Sequence, residues 1–265
     1  MPDVLSTIYA AKALHVAKEM EREPYEVVRT RAFARRSERR SFDEALHASR
    51  GIAIVAEIKR ASPSAGIITE QFDPLAVARL YQSAGADAIS VLTEQDYFMG
   101  ELRFLDEVRA VTTCPILRKD FLSTRYEVAQ SAAYGADCIL LIVAGLSDPA
   151  MRLCMREAAE YDLDVLVEIH DEGELERAVA LGARVIGVNN RNLRTMATDL
   201  GVSERLLPLV PGRAFAIAES GMRSAHDVRR LSRVGARGAL VGEALMRSAD
   251  PAAMLAELKE SCAPR

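Results

Sequence analysis

Two lysines and three glutamates lie at the ends of short apolar runs in this sequence, where they could move protons together. They are Glu57, Lys59, Lys119, Glu168 and Glu219. Ammonium and carboxylate groups that share a site are typical of general acid–base catalysis, in which one group donates a proton and another accepts one. Burying so many charges for stability alone would be costly, so we expect a catalytic site and not five separate salt bridges.

Eight short apolar runs alternate with amphipathic segments from residue 52 onward, and these runs must position the charged residues. They cover residues 52–58, 86–92, 115–121, 136–142, 163–169, 183–189, 213–219 and 237–242. Strands that alternate with helices form a parallel sheet. Eight strands are the number that closes a barrel, so the sequence predicts an α/β fold, the (β/α)8 or TIM barrel.

Short signals at the helix ends support this interpretation. A Gly-Ala pair precedes every second strand, beginning at Gly85, Gly135, Gly182 and Gly235. The glycine is a predicted helix C-cap, and an open sheet has no reason to repeat it every two units. Asp73-Pro74 and Asp148-Pro149 are each predicted to be an N-cap followed by the first helical turn.

Residues 1–50 precede the first strand and are predicted to form a helical extension. Their arginine-rich part, residues 28–46, is interpreted either as the solvated face of an extra helix or as a helix that lies over the barrel and screens the site. No linker follows. We therefore expect one domain over residues 1–265, with the barrel at 52–262.

The barrel interpretation brings the strand ends together, because the active site of such a fold lies at the carboxyl ends of its strands. Side chains alternate along a strand, so Glu57 and Lys59 share a face. Ser220-Gly221 opens the loop after the seventh strand, and Gly242 follows the eighth. Glycines there let backbone N–H groups approach an anion, so these two loops are a predicted phosphate site.

Composition excludes several functional classes. The net charge is −4 and the pI about 5.7, which gives no reason to expect nucleic-acid or membrane binding. No apolar run approaches the ~20 residues of a transmembrane helix, and the N-terminus lacks a signal-peptide pattern, so we expect a cytoplasmic protein. His170 follows the fifth strand and is interpreted as a residue beside the site or at its rim. The cysteines, expected to be reduced thiols, are Cys114, Cys138, Cys154 and Cys262.

Several strings of residues resemble one family, in order, from about residue 52 to residue 247. The family is indole-3-glycerol-phosphate synthase. The strings are AEIKRASPSAG (56–66), SVLTEQDYFMG (90–100), PILRKDFL (115–122), LVEIHDEGELERA (166–178), VNNRNL (188–193), AESGM (218–222) and VGEALM (241–246). The arginine-rich helix before the first strand also resembles the family's N-terminal extension.

The resemblance implies roles for individual residues. Lys119 resembles the general acid of ring closure and Glu168 the acid or base of a later dehydration. The implied catalytic residues are Lys119, Glu168, Lys59, Glu57, Asn189, Glu219 and Ser220. The implied substrate-binding residues are Arg191, Ser62, Gly221, Gly242 and Glu243. Position 243 is Glu where some members have a small residue, so we expect its backbone N–H to bind the substrate while the side chain points away.

The implied reaction belongs to tryptophan biosynthesis. It closes the indole ring of 1-(2-carboxyphenylamino)-1-deoxyribulose 5-phosphate with loss of carbon dioxide and water. Such a carboxy-lyase needs no cofactor and no metal, which agrees with a sequence that lacks dinucleotide, Walker and metal-ligand motifs. The partner is then a phosphorylated small molecule, and the enzyme is a monomer or a weak homo-oligomer.

Two alternatives stay open. The phosphate loops would also suit another phosphate-binding barrel enzyme, such as phosphoribosylanthranilate isomerase or a thiazole synthase, although the strings EIKRASPS and RKDFL would not. A non-catalytic barrel that binds a phosphorylated ligand or serves as an assembly subunit is the other alternative. Loss of a strand-end lysine or glutamate would signal it, and none is lost here.

Overall fold

A closed barrel of eight parallel strands forms the centre of the computed structural model, which describes residues 4–193 and 195–260. The strands β1 to β8 are Ala53–Ile58, Ala88–Leu92, Ile116–Lys119, Cys138–Ile142, Asp164–Ile169, Val185–Asn189, Phe215–Glu219 and Gly238–Val241. Ala53 of β1 pairs in parallel with Gly238 of β8, which closes the ring. The predicted barrel is confirmed. Each strand begins one or two residues later than its apolar run.

Helices surround the barrel and precede it. In chain order, α1 to α12 are Val4–Arg22, Tyr25–Ala34, Phe42–Ala48, Pro74–Ser83, Phe104–Arg109, Arg125–Ala133, Asp148–Glu160, Glu172–Ala180, Gly201–Leu206, Ala225–Ser232, Glu243–Arg247 and Pro251–Glu260. Short 3₁₀ turns cover Arg36–Glu38, Val143–Gly145 and Leu207–Leu209. A pair of short antiparallel strands, Ala61–Ser62 and Gly66–Ile67, lies in the loop after β1. Within the described ranges, no helix is long and apolar enough to cross a membrane.

The predicted glycine caps are confirmed. All four glycines have a positive φ, which a side chain would disfavour. Asp73 caps α4 by accepting hydrogen bonds from the N–H groups of Leu75 and Ala76. The N-cap prediction for Asp148 is wrong, because Ser147 caps α7 and Asp148 is the first helical residue.

Alternating side chains fill the barrel interior, as the strand pattern predicts. Val55, Leu117 and Leu166 belong to one buried apolar cluster inside the ring. Leu5 and Ile8 of α1, and Phe42 and Leu46 of α3, belong to the same cluster. The extension thus covers both openings of the barrel, with α1 at the carboxyl ends of the strands and α3 at the amino ends.

The arginine-rich segment lies at the amino ends of the strands and not over the mouth. Arg35 donates to the carbonyl of Ala133 (3.1 Å), Arg39 to that of Ala132 (2.6 Å) and Arg40 to that of Thr112 (2.7 Å). These carbonyls lie where helices end and strands begin, so the arginines satisfy acceptors that a helix terminus leaves unpaired. The segment does present a solvated face, which includes Arg36 with a side chain that is 49% exposed, but it does not screen the mouth. It fastens the extension to the amino ends of β3 and β4.

Asp137, directly before β4, is the buried anion at the centre of this attachment. Its carboxylate accepts hydrogen bonds from Arg109 (2.9 Å) and from the backbone N–H groups of Arg40 (3.0 Å) and Ile116 (2.9 Å). Its side chain has no exposed surface, and that of Arg109 is only 6% exposed. The pair therefore joins the extension, α5 and β3 in a place that water does not reach.

The described cysteines Cys114, Cys138 and Cys154 are buried and free, and Cys138 lies in β4 as predicted. Cys262 lies outside the described residues. For Cys138, burial raises the pKa of the thiol well above its ordinary value, which makes it a poor nucleophile.

We predict that Asp137→Asn strongly destabilises the protein. It leaves the Arg109 guanidinium buried without its counter-charge, which costs about 3–5 kcal/mol in comparable pairs. Urea unfolding would measure the loss. Asp162→Asn, which removes an exposed partner of Arg36, is the matched control and should change the free energy of unfolding little. Equal effects of the two substitutions would contradict the role given to Asp137.

Candidate active site

One cavity of about 630 Å³ opens at the carboxyl ends of the strands. Every residue that the sequence assigned to the site lines it: Glu57, Lys59, Ser62, Lys119, Glu168, Asn189, Arg191, Glu219, Ser220, Gly221, Gly242 and Glu243. The residues come from opposite sides of the closed ring, because Glu57 lies on β1 and Glu168 lies on β5, four strands away. Strand-end position together with the family resemblance therefore located the polar part of the pocket wall.

Lys119 lies at the centre of the charged cluster. Its Nζ donates to Oε2 of Glu168 at 2.8 Å and lies 3.1 Å from Oε2 of Glu219. Burial alone would lower the pKa of this amine, but the charges of Glu168, Glu219 and Glu57 outweigh burial and raise it above its ordinary value. Lys119 is consequently an ammonium group that points a proton into the cavity.

The two carboxylates beside Lys119 differ in their surroundings. Burial would raise the pKa of Glu168, but the charges of Lys119 and His170 and a hydrogen bond from Asn189 (3.0 Å) lower it to about 2. Glu219 accepts no hydrogen bond from the described residues, and burial with the charge of Glu168 raises its pKa to about 7. Glu168 is thus held as a carboxylate, while Glu219 takes up a proton more readily than Glu168 does.

A second charged pair faces this cluster from β1. Lys59 donates to Oε1 of Glu57 at 2.6 Å, and the two side chains are 13% and 6% exposed. A side chain at position 242 would overlap the Glu57 carboxylate, so Gly242 leaves the space that this pair needs. Alternation along β1 predicted the shared face of Glu57 and Lys59, and this prediction is confirmed.

The loops after β7 and β8 leave backbone exposed toward the cavity. Ser220 and Gly221 both have a positive φ, and Asn190 holds the turn by donating to the carbonyl of Ser220 (3.1 Å). A side chain at Gly221 would meet Thr198 at 2.5 Å. Gly242 is the N-cap of α11 and provides no side-chain cap, so the first N–H groups of that helix have no side-chain acceptor there.

Arg191 and Glu243 lie beside these loops. Nη1 of Arg191 donates to Ser64 Oγ at 2.8 Å, across the mouth from the loop after β6 to the loop after β1. The Glu243 carboxylate accepts from Arg247 (3.2 Å) and lies 3.9 Å from Nη2 of Arg191. This geometry is compatible with the expectation that only the backbone of Glu243 meets the substrate.

Sequence reasoning missed the apolar half of the cavity wall. Leu5 and Ile8 of α1, Phe98 of the loop after β2 and Phe121 after β3 line it. The spacing of Leu5 and Ile8 on one helical face signals burial, but nothing in the sequence names the barrel mouth as their partner. Phe98 and Phe121 lie in the strings SVLTEQDYFMG and PILRKDFL, but the resemblance assigns no role to either residue.

Two further side chains hold these apolar residues in place. Lys12 on α1 donates to Asp120 at 2.6 Å, which fixes the helix over the strand that carries Lys119. The Glu94 carboxylate accepts the backbone N–H groups of Asp96 (3.1 Å), Tyr97 (2.7 Å) and Phe98 (3.1 Å), which fixes the loop after β2.

Comparison with known proteins agrees with this geometry. A sequence model of the family "Indole-3-glycerol phosphate synthase" matches residues 5–258. The indole-3-glycerol phosphate synthase of Chromobacterium violaceum is 44% identical over 97% of this chain and 98% of its own length. That of Desulfotalea psychrophila is 42% identical over 97% and 99%.

Solved structures support the fold alone. The 3-hexulose-6-phosphate synthase of Salmonella typhimurium superposes with a TM-score of 0.66 at 15% identity, over 79% of this chain and 98% of that one. The two sequence relatives are more than 40% identical to this chain over nearly their whole length, which shows a shared family and not only a shared fold. The chain therefore belongs to the indole-3-glycerol phosphate synthase family.

Proposed function

We propose that the chain closes the indole ring of 1-(2-carboxyphenylamino)-1-deoxyribulose 5-phosphate and releases carbon dioxide, water and indole-3-glycerol phosphate. One observation carries this proposal. The ammonium group of Lys119, paired with Glu168 and Glu219, faces the pair Glu57–Lys59 across a single cavity. This arrangement supplies acids and bases on both sides of a bound substrate, as membership of the family requires.

Lys119 suits the first half of the reaction. The ring carbon that bears the carboxylate attacks the ketone carbon, and the ketone oxygen becomes an alkoxide. Lys119 is protonated and aimed into the cavity, so it can donate a proton to that oxygen as charge develops. Loss of carbon dioxide then restores the aromatic ring, with no further group needed as an electron acceptor.

The second half needs one acid and one base. The former ketone oxygen leaves as water after it takes a proton, and a proton is removed from the ring system. Glu168 begins as a carboxylate and can accept a proton, while Lys59, next to Glu57, can donate one. We assign dehydration to Glu168, Lys59 and Glu57, with Asn189 holding Glu168 in place.

The substrate phosphate is proposed to bind at the loops after β7 and β8. Gly221 and Gly242 leave backbone uncovered, α11 begins without a side-chain cap, and the Arg191 guanidinium is near. Helix N-termini and uncovered N–H groups favour phosphate. Ser62 and Ser220 line the same part of the cavity. The aryl ring of the substrate would then lie against Leu5, Ile8, Phe98 and Phe121.

Gly187 on β6 positions Glu219. A Cβ at position 187 would overlap Oε1 of Glu219, so only glycine leaves room for that carboxylate in the barrel. The carboxylate is 2% exposed and is surrounded by the barrel interior, so it has nowhere else to go. The second counter-charge of Lys119 is the Glu219 carboxylate. Its position therefore depends on a glycine of β6, the strand that pairs with β7, which carries Glu219.

A cytoplasmic location, a monomeric or weakly oligomeric state and a single domain over residues 1–265 stay predictions. So does the independence from metals and cofactors. Within residues 4–193 and 195–260, no group of three or more histidine, cysteine, aspartate or glutamate side chains is placed to hold a metal ion.

An assay of the purified protein tests the function directly. We expect indole fluorescence to appear when the protein meets the carboxyphenylamino-deoxyribulose phosphate. Turnover should be unchanged after exhaustive chelation and without added nucleotide, because protein side chains supply the acids and bases. Absence of product would refute the function. Activity that returns only with a divalent ion would overturn the metal-free prediction.

Replacement of Lys119 and replacement of Lys59 are predicted to have different effects on kcat and KM. Lys119→Met should lower kcat by roughly 10²-fold or more, because it removes a general acid. Lys59→Met should raise KM as well as lower kcat, because Lys59 also lies near the anionic groups of the substrate. Lys119→Arg should not restore turnover, since a guanidinium hardly releases a proton. Near-normal kcat for Lys119→Arg would make this lysine a binding charge only.

Gly187→Ala is predicted to lower kcat by up to ~10²-fold, because it forces Glu219 away from Lys119 and catalytic geometry tolerates little displacement. Steady-state kinetics would measure the effect. The control is Gly212→Ala, since a Cβ at Gly212 meets no atom within 4 Å. Wild-type kcat in Gly187→Ala would show that the position of Glu219 does not matter.

A further inference from the structure

His170 lies behind Glu168, outside the wall of the cavity. It follows β5 directly and is two residues beyond Glu168. Its side chain is only 16% exposed, and its ring lies against Oε1 of the Glu168 carboxylate, the oxygen that also accepts from Asn189, while Lys119 contacts Oε2. The reaction steps described above make no use of this histidine, although it contacts one of their central groups.

Both ring nitrogens of His170 face carboxylates. Nδ1 lies 3.1 Å from Oε2 of Glu174, and Nε2 lies 3.4 Å from Oε1 of Glu168. A neutral imidazole carries only one N–H, so either tautomer would turn a lone pair toward a carboxylate oxygen. Only the imidazolium turns no lone pair toward a carboxylate. Its Nε2 makes no hydrogen bond within the described residues, so its contact with Glu168 is an ion pair. The geometry therefore favours the charged ring.

The ring is also held in position. The Glu174 carboxylate accepts the backbone N–H of His170 at 2.7 Å in addition to its contact with Nδ1. The N–H of Glu174 in turn donates to Asp171, the N-cap of α8, at 2.9 Å. The first turn of α8 thereby fixes both the backbone and the ring of His170, and with them the direction of Nε2.

The charged groups around Glu168 point the same way. The buried carboxylates Glu57, Glu168 and Glu219 lie close to the ammonium groups of Lys59 and Lys119. A charged His170 supplies a third cation against this cluster. Burial by itself would lower the pKa of the ring, but Glu174, Glu168 and Glu219 outweigh burial and raise it above its ordinary value.

We propose that His170 is a positioning residue which, as an imidazolium held by Glu174, keeps Glu168 ionised and directed toward Lys119 and Asn189. This rests on the proposed function, in which Glu168 accepts a proton. Without the cation, the proton affinity of Glu168 rises, and a larger share of the enzyme enters the reaction with Glu168 already protonated. His170 contributes to turnover only below the pH at which its ring loses its proton.

The first test measures the ring and not the activity. In NMR titrations of the substrate-free protein, the His170 signal, assigned by its loss in His170→Gln, should titrate above the ordinary histidine value of about 6.5. In Glu174→Gln, the midpoint should fall by about one pH unit, because a nearby opposite charge has that effect. Titration of His170 at or below its ordinary value would overturn the proposal even in an inactive protein.

The second test compares kcat of the wild type and His170→Gln across pH. On the acidic side of the profile, where Glu168 takes up a proton, the midpoint should lie about one pH unit higher in His170→Gln than in the wild type, because the nearby opposite charge is lost. The ratio of the two kcat values should approach one at neutral pH, where Glu168 is ionised in both proteins.

Controls separate this role from a structural one. His226→Gln changes an exposed histidine on α10 and should leave kcat at the wild-type level. Thermal unfolding of each variant reports folding. A kcat ratio that is the same at every pH, whatever its size, would make His170 a packing residue and overturn the proposal. An inactive wild type would instead refute the proposed function and leave the NMR result standing.

Discussion

The ammonium group of Lys119, buried between Glu168 and Glu219, is the interaction on which the rest of the site depends. Each of these charges would be costly in a barrel interior if it stood alone, and each is tolerable because the others are there. Low polarity around the cluster strengthens every one of these interactions. The apolar barrel below and α1 above are therefore conditions for the chemistry as well as for stability.

The extension packs against both ends of the barrel. Phe42 and Leu46 of α3 complete the interior at the amino ends of the strands, and Leu5 and Ile8 of α1 do so at the carboxyl ends. Between them, arginines reach the carbonyl groups that flank β3 and β4. Residues ahead of the barrel thus act as part of its core.

Local periodicity was enough to predict the barrel and the charged strand ends of the site. Alternation placed Glu57 beside Lys59, and the repeated glycine caps counted the strand–helix units. The attachment of the arginine segment was not predicted, because its partners are carbonyl groups about a hundred residues away, which no local pattern reveals. Asp148 was misplaced by one residue because the cap signal of Ser147 competes with it. The contacts of His170 and α1 depend on tertiary packing in the same way.

Long separation along the chain between the extension and its partners also sets an order of assembly. Lys12 binds a residue 108 positions later, and the carboxylate of Asp164 that holds the N–H of Phe42 is 122 positions later. During synthesis, α1 and α3 are made before β3 to β5, so they have no surface to join until those strands have been made. Closing such long loops is slow. The extension is consequently among the last parts to reach its native place, and the mouth of the barrel stays uncovered until then.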